Sequence, residues 1–223
     1  VYKRQERISM DVKCLTVDKY LDAILASYAR LPDRLVGNED AKQAIAILKT
    51  WDKMATVDNR ALPILATVVE VVGAKTPPGK PNPRQVANVF EKALALMKRR
   101  WGSVSVFWGD VHVIQRGDQI LPAAGAGNEQ STAPFTTLYM TGTSKMVNNR
   151  WPADRGSSWM MLVKYHQGTV EAKTIVPWGN SPDPDSPHYA DQAPLFAKRQ
   201  YKKALLTRDE IVADAKSTIT LEH

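Results

Sequence analysis

The hydrophobic period of this 223-residue chain changes once, near residue 103, and that single change restricts the fold to helices followed by strands. In the first half, apolar side chains recur every three or four residues. Thr16 is placed to cap a helix carrying Leu21, Ile24, Leu25 and Tyr28 and ending near Pro32. Asn38 is placed to cap a second, with Ala41, Ile45, Leu48 and Asp52 on one stripe. Leu62, Leu65, Ala66, Val69 and Val72 make a third, stopped by Gly73 and by the prolines of residues 76–81. Pro83 opens a fourth through Val86, Val89, Phe90, Ala93 and Met97, since a first-turn proline has no amide to lose there.

Beyond residue 103 the pattern alternates. Residues 111–116 and 119–121 flank Gly117-Asp118, a hairpin signal; residues 136–140, 159–165 and 170–176 follow, the last two joined by Gln167-Gly168. Residues 123–135 carry no period and read as an exposed loop. Ser186-Pro187 supplies a cap and a first-turn proline for a short helix through Phe196, and Thr207 with Glu210 forms a capping box for a last one. The expectation is an α+β chain, helical over 6–102 and strand-rich over 103–223, whose strands sit inside a larger sheet. With 43% apolar residues it can bury a sizeable core, and no run of about 18 apolar residues marks a membrane span. The lone Cys14 excludes an internal disulfide and a cysteine zinc site.

One stretch carries more specific information. Trp178-Gly179-Asn180-Ser181-Pro182-Asp183-Pro184-Asp185-Ser186-Pro187-His188-Tyr189-Ala190-Asp191-Gln192 resembles the C-terminal signature of the penicillin acylase family, with Asn180 where the family more often has Gln. Three further landmarks occur in the family's order. Leu48-Lys49-Thr50-Trp51-Asp52 resembles its L-x-x-WD helix. Trp108-Gly109-Asp110-Val111-His112 with Arg116-Gly117 and Leu121-Pro122 resembles its WG-x-VH segment and the RG-LP hairpin after it, and Gly156-Ser157-Ser158-Trp159 its entry to a late strand. The resemblance spans residues 48 to 192 and implies part of an αββα sandwich of the N-terminal-nucleophile hydrolases.

By that resemblance, catalysis uses a serine that becomes residue one after self-cleavage, with its own α-amine as base, because an amine of pKa near ~8 accepts a proton at neutral pH. Residue one here is Val1, so the nucleophile and its oxyanion-hole Asn are expected upstream, in a parent protein of which this is the C-terminal part. Val1-Tyr2-Lys3-Arg4-Gln5 resembles the translation of a sequencing-library adapter, so residues 1–5 are expected to be non-native. Leu221-Glu222-His223 reads as a tag remnant or a natural end.

Internal alternatives are weaker. Gly102-Ser103, Gly142-Thr143 and Gly156-Ser157 would each release a nucleophilic residue if cut, but too little chain follows them to build the sheets; turn use is expected. Ser186, His188 and Asp191 hold the letters of a triad, yet residues this close on one turn diverge, so Ser186 is expected to start a helix and His188 to be packed or hydrogen-bonded. Asp183 and Asp185 lack the six or more oxygens calcium takes. Gly125-Ala126-Gly127 lacks the rest of a phosphate loop, and His112 and His166 have no ligand-spaced partner. No catalytic, cofactor-binding or metal residue is assigned within the chain, and no cofactor.

Charge offers the competing reading. A net charge of +7 with the clusters Lys98-Arg99-Arg100-Trp101 and Lys198-Arg199-Gln200-Tyr201-Lys202-Lys203 would suit a nucleic-acid surface. The clusters lie half a chain apart without a nucleic-acid motif, and a positive piece of a larger protein with an acidic partner segment explains them equally. The resemblance implies instead an acylase of linear amides such as penicillins, acyl-homoserine lactones or lipopeptides. Its partners would be the upstream α chain, the first part of the β chain and a small acyl amide, and its compartment the periplasm or the outside. This chain alone would be inactive. A structural relative without activity is the third reading.

Overall fold

The computed structural model describes residues 2–15, 17–30, 38–72, 82–126, 146–216 and 219. Thr16, the stop near Pro32, Gly73 with the loop 76–81, the expected strand 136–140, residues 127–135 and Gly142-Thr143 lie outside them.

Helices α1 (Tyr2–Ser9), α2 (Asp18–Tyr28), α3 (Glu39–Lys49), α4 (Ala61–Val72) and α5 (Pro83–Trp101) fill the first half. Their ends follow from local chemistry. Asn38 Oδ1 accepts the amides of Asp40 and Ala41 at 3.0 and 3.4 Å, and Asn82 Oδ1 that of Arg84 at 3.0 Å, satisfying donors that a helix leaves open at its first turn. Gly102 ends α5 at φ 73°, a left-handed conformation that costs glycine little. Every side chain of α4 from Ala61 to Val69 is buried, so it is the central helix, with α5 and α3 packed on it.

The Trp51-Asp52 pair differs from expectation. α3 stops at Lys49, and Asp52 lies beyond it, accepting the Met54 amide at 2.9 Å while Trp51 Nε1 donates to the Met54 carbonyl at 3.0 Å. A short carboxylate that bonds the backbone two residues on favours a turn over another helical turn.

A one-turn helix, α6 (Trp108–Val111), leads into β1 (His112–Arg116), which pairs antiparallel with β2 (Gln119–Pro122). The hairpin turns at Gly117-Asp118 as its sequence implies. A two-residue strand, β3 (Trp151–Pro152), adds parallel to β1. The second sheet has the order β4-β5-β6: β4 (Met160–His166) and β5 (Thr169–Ile175) form an unbroken antiparallel ladder from Met160↔Ile175 to His166↔Thr169, and β6 (Lys202–Ala204) pairs with β5. The chain is α+β, helices then mostly antiparallel strands. Two elements depart from expectation: the run from Ser186 is a series of turns, the helix α7 being only Ala193–Ala197, and Lys202 and Lys203 of the second basic cluster lie in strand β6. The last helix, α8 (Arg208–Asp214), has the complete capping box of Thr207 and Glu210.

One core joins the helices to α6 and β3, with Leu48, Leu62, Leu65, Met97 and Trp108 fully buried. A smaller one, Met10, Ile114, Ile175, Ala193 and Phe196, lies between the two sheets, α1 and α7.

Candidate functional site

The signature residues meet in space at two joints. At the first, Arg116 leaves the end of β1 and enters the loop 178–192. Its Nε donates to the Tyr189 carbonyl and its Nη2 to the Ser181 carbonyl, each at 3.1 Å, while the guanidinium lies 4.3 Å from the Tyr189 ring centre and 5.6 Å from that of Trp178. A planar fork fits two carbonyls and two ring faces at once, which a lysine ammonium does not. Gly117 follows at φ 58°, with the Tyr189 ring edge 3.3 Å from where a Cβ would stand.

The loop is closed on itself. The Gln192 amide donates to the Trp178 carbonyl at 2.8 Å and the Ser181 amide to the His188 carbonyl at 3.1 Å, so its two strands touch throughout. They pass so near at Gly179 that a Cβ there would stand 2.0 Å from the His188 carbonyl oxygen. Gln192 is buried, its Oε1 accepting the Val176 amide at 3.3 Å and its Nε2 reaching Asn180 Oδ1 at 3.4 Å. These contacts account for Trp178, Gly179, Tyr189 and Gln192 as parts of one compact loop.

The second joint is α6. Trp108 is fully buried; its indole donates to the Gly125 carbonyl at 2.7 Å and its amide to the Asn59 carbonyl at 2.7 Å. Gly109 donates to the Val57 carbonyl at 2.8 Å, and a Cβ on it would lie 2.9 Å from both Val57 Cβ and Pro122 Cβ. His112 stacks on Trp108 with ring centres 4.6 Å apart, and its Nδ1 meets the Ala123 carbonyl at 2.8 Å. Burial without a full countercharge pushes the imidazole down to about 4, so it is neutral at pH 7. The joint ties α4, β1 and β2 together and leaves His112 as a packed side chain.

The other candidates fall apart as chemistry. His188 Nδ1 meets Asp191 Oδ2 at 2.9 Å, so the imidazole is hydrogen-bonded as expected, but the Ser186 hydroxyl accepts the His188 backbone amide at 3.2 Å and no bond joins it to the imidazole. Asp183 Oδ1 accepts the Asp185 amide at 3.0 Å, a turn contact, and among the described residues no three His, Cys, Asp or Glu stand close enough to hold a metal. Ser103 Oγ accepts the Ser105 amide at 3.0 Å beside the helix-ending Gly102. Burial pushes the Cys14 thiol up to about 12, so it does not ionise as a nucleophile near pH 7.

Three of the seven basic residues in the two clusters are ion-paired within the chain. Arg100 grips Glu70 with two bonds of 2.6 Å, Lys98 pairs with Asp40 at 3.1 Å, and Lys203 pairs with Glu210, holding that carboxyl down to about 2 together with the Leu206 and Thr207 amides. Trp101 donates to the Asn149 carbonyl and meets Trp151 edge-on, so its aromatic face is part of the β3 packing. Among the described residues no helix is long and apolar enough to cross a membrane.

A loop sealed by arginine and a buried Trp-Gly joint define a scaffold whose signature residues are internal fastenings. Residues 3–213 match the family described as Penicillin amidase, and the chain belongs to that family. Aculeacin-A acylase of Actinoplanes utahensis is 28% identical over 109 residues, covering 48% of this chain and 13% of that protein. Acyl-homoserine lactone acylase PvdQ of Pseudomonas syringae pv. syringae is 27% identical over 109 residues, with the same coverage of 48% and 13%. The matched stretch is thus a small fraction of these relatives' length. A thermostable penicillin G acylase from Alcaligenes faecalis superposes over 96% of this chain and 47% of that one, with TM-score 0.46 and 14% identity.

Proposed function

We propose that this chain is the C-terminal part of the catalytic chain of an amidohydrolase that removes the acyl group from a linear amide, with acyl-homoserine lactones and lipopeptides as the leading substrates. The observation that carries the reading is the family match over residues 3–213, joined to relatives whose names describe acylases. In this account the nucleophile is an N-terminal serine upstream. Its α-amine takes the hydroxyl proton as oxygen attacks the acyl carbonyl. The tetrahedral oxyanion is held by backbone and Asn donors, and the leaving amine departs with a proton. Water then attacks the ester and returns the serine.

This chain contributes rigidity. The Arg116 fastening and the Trp108 joint hold β1, β2 and the loop 178–192 as one body, on which a cleft built by upstream residues could keep its geometry. The same account has the upstream α chain and first part of the β chain as partners, and export to the periplasm or the outside as destination. Ion pairing of Lys98, Arg100 and Lys203 favours it over a nucleic-acid surface. The test is to express the full-length gene and offer acyl-homoserine lactones of graded chain length, a lipopeptide and penicillin G. Release of free carboxylic acid from the long-chain substrates is expected. A folded full-length protein that hydrolyses none of them overturns the proposal.

A further inference from the structure

We draw no further inference here: the strongest candidate, the exposed apolar face that Trp159, Met161, Tyr165 and Val170 form on the sheet of β4, β5 and β6, carries nothing because nothing in the structure shows what covers it.

Discussion

Replacing Arg116 with methionine keeps the aliphatic stem beside Tyr189 and removes the fork. Two hydrogen bonds from a charged donor to carbonyls are lost, each worth about 1.5 kcal/mol at the lower end of the range, and two ring contacts of about 0.5 kcal/mol. Arg116 is half-buried, so solvent recovers part of this, and the net loss is about 2–3 kcal/mol. The cost falls on the loop 178–192, whose remaining ties are its cross-loop bonds, Trp178 on the second core and the Gln192–Val176 bond, and it should open locally before the helices melt. Chymotrypsin cleavage after Tyr189 reports that opening. When closing outruns cleavage, the rate follows the open population and should rise about 30- to 150-fold, while the urea midpoint of the helical signal moves little. Arg116→Lys, keeping the charge without the fork, should fall between. Cleavage of Arg116→Met at the wild-type rate, or full rescue by lysine, would refute the reasoning.

Gly179→Ala should open the same loop more severely, since its Cβ would overlap the His188 carbonyl at 2.0 Å; chymotrypsin sensitivity above that of Arg116→Met is expected. His112 gives a pH dependence. Its folded pKa, near 4, lies below the unfolded value of 6.5, so the unfolded state binds the extra proton; the contribution is complete above pH 6.5 and is lost as pH falls toward 4, by about 3 kcal/mol. Urea titrations between pH 7 and 4 should show that loss, and His112→Phe should flatten it. Thr207→Ala removes half of the α8 capping box, and because α8 buries no side chain, its amides should exchange about fivefold faster with no change in melting temperature.

Local order was legible because it is written locally. Asn38 and Pro83 mark helix starts by their own local chemistry, and Gly117-Asp118 and Gln167-Gly168 turn hairpins by their own backbone preferences. Short strands were not. Trp151–Pro152 and Lys202–Ala204 are too brief to show a period and become strands because β1 and β5 offer them an edge. Ser186-Pro187 has the letters of a helix start, but Asp183, Ser186 and Asp191 bond nearby backbone and imidazole and hold turns instead. The Arg116 fastening joins positions 65 and 73 residues apart. Its parts were visible as Arg116-Gly117 and as the Trp178–Gln192 stretch. Nothing in one sequence says that they touch.

The central claim is that this chain is the C-terminal scaffold of a self-processed acylase. The most direct measurement is to recover the upstream reading frame, express the whole gene, and determine intact masses and N-termini of the products. Two chains, the larger beginning at a serine and containing this sequence, are the predicted result. A single uncleaved chain with no serine, threonine or cysteine at a processing site would contradict it.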